Sequence, residues 1–281
     1  MARTTAKIIF PGQVDSTQAE WSPPDYPLRF LAEGDSWFSF GSWKLHSMLT
    51  QLRLDRPAAI VSLAQPGDTI RRMSDIAKNP ELDNWLSMSF GAYQWNALLI
   101  SGGGNDLIDD ATRIIPGSAT PQPGNKPAEE YVDLARLART LDDVADGYRR
   151  IVALRDGLDS PCPGVPLVTH AYDLATPRDA PARFLVAQLG PWLYPAMVAA
   201  KIPAARWNDV ADYLLGALGK CIQDLEVELP NFHVARTQGQ LKRAAPGTHG
   251  NSNDWANEIH PNGKGFAQLA KLMAELVEAL T

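Results

Sequence analysis

A serine and a histidine at opposite ends of this chain carry its most suggestive chemistry. Gly34-Asp35-Ser36-Trp37 closes the apolar run Leu28-Arg29-Phe30-Leu31-Ala32, and His260 stands in Asn257-Glu258-Ile259-His260-Pro261. A short β-forming run closed by Gly-Asp-Ser reads as a buried strand followed by a tight turn. Such a turn holds the Ser36 hydroxyl at the C-terminal edge of a sheet, where open α/β folds bind ligands. A serine hydroxyl is a weak nucleophile until a base beside it takes its proton. Histidine suits that task near neutral pH. The pair points to nucleophilic attack by Ser36 with His260 as the base.

The elements that must bring the two together follow from periodicity. Five apolar, β-rich segments fall at 28–33, 58–64, 97–101, 165–171 and 232–235. Helical patterns separate most of them. Ser42 is placed to cap a helix through Leu45, Met48, Leu49 and Leu52, and 69–78 reads as another. The segment 127–158 has apolar residues at Leu134, Leu137, Ala138, Leu141, Ala145, Tyr148 and Ile151, which is helical spacing. The same pattern runs through 208–229 and 266–280. Strands alternating with helices predict an α/β protein, a three-layer α/β/α sandwich on a mainly parallel five-stranded sheet. Right-handed crossovers leave every strand C-terminus on one edge. Ser36, Gly67, Asn105 and the His260 loop should gather there. Two stretches do not fit the sheet. The Pro- and Gly-rich 106–125 follows the third strand, and 172–206 follows the fourth with Phe184, Trp192, Leu193, Tyr194 and five prolines. The second reads as a lid or pocket insertion on an otherwise single domain, 1–281.

Composition excludes several classes. The chain has 281 residues, 45% hydrophobic and 21% charged, with a net charge of -6. That length buries roughly three quarters of the unfolded surface in one large domain, and the charge provides no basic field for nucleic acid. No apolar stretch approaches the ~20 residues of a membrane span. The first fourteen residues lack the apolar core of a signal peptide. A cytoplasmic protein is expected, or a secreted one whose leader lies outside this sequence. Two cysteines, Cys162 and Cys221, allow one bridge but no disulfide framework. No two histidines have metal-ligand spacing, so neither metal nor other cofactor is expected. Gly102-Gly103-Gly104 lacks the remaining residues of either common phosphate-binding loop. Oligomeric state is not legible.

Four short blocks, in order, resemble the SGNH (GDSL-type) hydrolase superfamily. They are Gly34-Asp35-Ser36, then Gly67 after the second strand, then Gly103-Gly104-Asn105-Asp106, then His260-Pro261 before the last helix. Together they span nearly the whole chain. The resemblance implies a flavodoxin-like sheet and hydrolysis of a small-molecule ester through an acyl-enzyme on Ser36. It further implies an oxyanion hole from the backbone N–H of Ser36, the backbone N–H of Gly67 and the side-chain amide of Asn105. Glycine at 67 lets the backbone approach a substrate closely, and Asn105 supplies a neutral NH2 donor. Carboxylesterase or lipase-like activity, lysophospholipase or thioesterase activity, and O-deacetylation all stay open. Trp37, Phe38, Phe40 and Trp43 suit an acyl chain, a sugar face or core packing equally.

The chain departs from the family at one position. The family places aspartate three residues before the histidine, and here that residue is Asn257. The third member fixes the tautomer of the base and stabilises its imidazolium. Asn257, by side chain or by backbone carbonyl, is the expected partner of His260. Asp254, Glu258 and a bare Ser36–His260 dyad are the alternatives. The substitution also keeps a second reading, an SGNH-like ligand-binding protein with little or no hydrolytic activity.

Overall fold

The computed structural model describes residues 3–14, 25–39, 46–87, 93–184 and 187–281. Ten strands form among them. Two short pairs stand apart: β1 (Thr4–Thr5) lies antiparallel to β4 (Arg53–Leu54), and β8 (Ala182–Phe184) to β9 (Ala187–Leu189). The other six make one sheet: β2 (Lys7–Ile9), β3 (Leu28–Gly34), β5 (Ala58–Ser62), β6 (Ala97–Ser101), β7 (Leu167–His170) and β10 (Phe232–Ala235). Their order is β10-β7-β6-β3-β5-β2, and every pairing is parallel. The inner strands β5, β6 and β7 are buried along their whole length. That is why they read as unbroken apolar runs and not as alternating ones.

The five strands read from sequence are all present, in the flavodoxin-like order, but the sheet has a sixth. The five-strand expectation is corrected by β2, which pairs with β5 at the edge. Three residues, Lys7-Ile8-Ile9, are too few for a periodic signal.

Helices cover both faces. On one, α9 (Gly263–Leu280) packs on α1 (Met48–Gln51) and against β7 and β10. On the other, α6 (Leu134–Arg155) packs with α2 (Ile70–Met73), α4 (Gly104–Asp109) and α8 (Trp207–Glu228). Leu137, Val144, Tyr148 and Ile151 form the buried stripe of α6, while Leu134 in its first turn stays exposed. Val210, Leu214, Leu218 and Ile222 do the same for α8. Each such side chain contributes roughly 1.5–3 kcal/mol by leaving water. Asp133 and Asn262 cap α6 and α9 through their side chains. The cap of α1 is Ser47, whose hydroxyl accepts from the N–H of Thr50. Ser42, Leu45, Phe40 and Trp43 lie outside the described residues. Three helices had no periodic signal: α3 (Pro80–Leu86), α4 and α5 (Ala111–Ile114). The segment 172–206 contributes β8, β9 and α7 (Tyr194–Ala199). Both cysteines are free. Among the described residues no helix is long and apolar enough to cross a membrane.

Candidate active site

The site starts from the register of two strands. Gly34 at the end of β3 lies level with Ser101 at the end of β6. A Cβ on Gly34 would stand 2.8 Å from the Cβ of Ser101, so only glycine lets the strands close there. Asp35 turns the chain. Its carboxylate accepts from the N–H of Trp37 (2.9 Å), the hydroxyl of Ser101 (2.8 Å) and the hydroxyl of Tyr172 (2.5 Å). Its carbonyl accepts from the N–H groups of Phe38 and Ser39. Burial pushes its carboxyl up to about 6 against these hydrogen bonds. The turn leaves Ser36 half-buried at the sheet edge. Trp37 and Phe38 go into the core, with the Trp37 ring stacked 5.3 Å from His170.

Beyond β6 the chain reverses at Gly103, with φ +103°, a left-handed conformation that favours glycine, and enters α4. Asn105 and Asp106 occupy its first turn. Asp106 accepts from the N–H of Ile70 at 2.8 Å and from Arg71 Nε at 3.2 Å, tying α4 to α2. The loop before α2 holds Gly67, exposed and at φ +85°. Asn105 Nδ2 donates to the carbonyl of Asp68 at 2.9 Å. That bond uses one of the two amide hydrogens and holds the side chain beside the Gly67 loop.

The histidine comes from the loop before α9. His260 Nε2 lies 2.7 Å from Ser36 Oγ, and His260 Nδ1 lies 3.0 Å from Asn257 Oδ1. The tautomer follows from Asn257. Its Oδ1 accepts from the N–H of Ile259 (3.1 Å) and of His260 (2.9 Å), so the atom facing Nδ1 is the oxygen. Nδ1 must then carry the hydrogen, and Nε2 presents a lone pair to Ser36. Burial pushes the imidazole down to about 4, favouring its neutral form. The Trp192 ring meets the His260 ring edge-on at 5.5 Å.

The other candidate partners of His260 point elsewhere. Asp254 accepts from the N–H of Lys242 and from Lys264 Nζ, each at 2.8 Å. Glu258 is wholly buried and faces away from the ring. Its carboxylate accepts from the N–H groups of Trp192, Leu193 (3.0 Å), Tyr194 (2.7 Å) and Arg178 (3.2 Å). Burial pushes that carboxyl up to about 7. The backbone carbonyl of Asn257 is also taken, by the Arg178 guanidinium at 2.5 Å. Arg178 reaches on to Thr248 and Gly250. Glu258 as an anchor, Arg178, and the contact of Trp192 with His260 were invisible in the sequence, because each acts on a partner more than 60 residues away.

Ser36, His260 and Asn257 thus form one line of contacts at the floor of a cleft of about 900 Å³. Pro66, Pro181, Ala182 and Gln188 are among its walls. The crystal structure of a lipase from a goat rumen metagenome aligns with this chain at a TM-score of 0.53 and 14% identity, covering 88% of this chain and 96% of that one. The chain has the SGNH-hydrolase fold. Two other structures align less closely. A carbohydrate acetylesterase from Sinorhizobium meliloti has a TM-score of 0.42 at 14% identity, and the native aryl esterase of M. smegmatis 0.44 at 15%. Each covers 90% of this chain and 100% of its own. No family model matches the chain, and no curated protein does. Within the SGNH fold, the four sequence blocks fall at the C-terminal edge of the sheet, after β3, β5 and β6 and just before α9.

Proposed function

We propose that the protein is a serine hydrolase that cleaves carboxylic esters through an acyl-enzyme on Ser36. The observation that carries this reading is the geometry of His260, with Nε2 2.7 Å from Ser36 Oγ and Nδ1 3.0 Å from Asn257 Oδ1. Ser36 Oγ attacks the acyl carbon, and its proton passes to His260 Nε2. The carbonyl oxygen becomes an oxyanion, held by the backbone N–H groups of Ser36 and Gly67 and by the amide of Asn105. Collapse expels the alcohol, which takes the proton from His260. Water then attacks the ester of Ser36 with His260 again as base, and the acid leaves. Asn257 orients the imidazole but lends its positive form less support than a carboxylate would. The 172–206 insertion serves as a wall of the cleft, pinned through Glu258, and not as a swinging lid. A fluorophosphonate probe tests the reading: the mass of one adduct should map to Ser36, and labelling of another serine would overturn it.

Two further results are expected. Asn257→Ala should lower kcat roughly 10–100-fold, less than the ~10⁴-fold that loss of a triad aspartate costs. Asp254→Ala should leave kcat within about 3-fold, because Asp254 bonds Lys242 and Lys264. A larger loss in the Asp254 variant would assign the orienting role to that carboxylate.

The second concerns pH. The base must be neutral to accept a proton, and burial lowers the affinity of His260 for one. Activity should persist through pH 6 and fall only as pH drops toward about 4, so the acid limb of kcat/KM lies below the ordinary histidine value of about 6.5. An acid limb near 7 would show a base that titrates as though exposed.

A further inference from the structure

Ser36 also borders a second space of different size and chemistry. This slot measures about 30 Å³ and lies between Asn105, Ile108, Tyr172, Ala175, Leu193 and Leu215. One water needs on the order of 10–15 Å³ of such space, so the slot admits roughly two or three heavy atoms. Its walls are mainly aliphatic carbon and aromatic ring, with Asp35 and Asp173 also bordering it. The large cleft has a mixed lining: His46, Asp179, Gln188, His249, Asn251 and Asn262 supply polar groups between apolar walls such as Pro66, Pro181 and Phe266.

The proton decides which half of an ester enters which space. The leaving oxygen takes its proton from His260 Nε2, so the alcohol must lie on the His260 side. Among the described residues His260 borders the cleft and not the slot, Asn105 borders the slot and not the cleft, and Ser36 borders both. The acyl group therefore projects into the slot beside the oxyanion donor, and the alcohol lies along the cleft. Two or three heavy atoms, the acyl carbon included, are those of an acetyl or a propionyl group. A fatty acyl chain has no room. Imidazole, amide and carboxyl groups along the cleft match an alcohol rich in hydroxyls. No Lys or Arg is among the described residues lining it.

Resting on the hydrolase reading above, we infer that the natural substrate is an acetyl ester of a polyhydroxylated alcohol, a sugar O-acetate in chemical class, with Ile108, Leu193 and Leu215 setting the acyl limit. Attack forms the Ser36 acetyl ester and releases the sugar hydroxyl. Water then cleaves that ester to acetate.

The test compares p-nitrophenyl acetate, butyrate and octanoate, and measures acetate release from an acetylated xylo-oligosaccharide against ethyl acetate. From acetate to butyrate, kcat/KM should fall roughly 10–100-fold, with octanoate lower still. The sugar acetate should be the better acetyl donor, chiefly through a lower KM. Leu215→Ala and Ile108→Ala should each raise the butyrate-to-acetate ratio several-fold, and two positions guard against one variant that fails to fold. Octanoate cleaved as well as acetate, an unchanged ratio in both folded variants, or ethyl acetate matching the sugar acetate would each overturn the inference while leaving the hydrolase reading intact. No turnover of any ester, with Ser36 unlabelled by fluorophosphonate, would overturn both.

Discussion

Ser36→Ala is expected to cut ester turnover roughly 10³–10⁶-fold, a loss of about 4–8 kcal/mol of transition-state stabilisation. The size follows from losing the atom that forms the covalent bond, since the residual rate comes from the oxyanion donors and binding alone. The variant is a clean one structurally. The bonds that hold the turn run through the carboxylate and carbonyl of Asp35 and not through the Ser36 hydroxyl. Ser36 is half-buried beside an open cleft, so removing its oxygen leaves no closed cavity. Stability should change by about 0.5 kcal/mol or less. Turnover of p-nitrophenyl acetate beside a thermal melt would separate the effects. A folded alanine variant at parent activity would mean that Ser36 is not the nucleophile.

Asn105→Ala should lower kcat by roughly 10²–10³-fold, about 2.7–4 kcal/mol, with KM little changed. The amide donates one hydrogen to the Asp68 carbonyl, and in the proposed mechanism its second serves the oxyanion. Charge builds on the carbonyl oxygen only as the tetrahedral intermediate forms, so this donor acts on kcat. Some of the loss should be structural, because the Asp68 carbonyl loses its partner. Asn105→Asp separates loss of the donor from loss of side-chain volume. It keeps the size but, while ionised, offers no donor to either carbonyl or oxyanion. Both variants should therefore fall together. A steep rise in KM at constant kcat would make Asn105 a substrate-binding residue instead.

The fold was legible wherever a segment was long and one-sided. Strands β3, β5, β6, β7 and β10 and helices α6, α8 and α9 all carry runs long enough to show a period. β2 escaped because its signal is three residues, and α4 because Gly103 and Gly104 look like loop. The site was legible because its residues sit at strand ends, where topology alone brings them together. What holds those residues was not. Arg178 against the Asn257 carbonyl and Glu258 against the amides of 192–194 are contacts between distant segments that share no spacing rule. The role of Asn257 stayed open in the sequence for the same reason: side chain, carbonyl and neighbouring carboxylates were equally near along the chain, and only the loop's shape separates them.

That loop shape also bears on why the position before Glu258 is an amide. The dipeptide Asn257-Glu258 sends one side chain to the base and the other into the interior. Glu258 already brings an acid into a water-free setting where its carboxyl is pushed up to about 7. A second acid at 257 would set two like charges on adjacent residues, with the buried guanidinium of Arg178 as the cation at hand. Asparagine keeps the acceptor geometry without that repulsion.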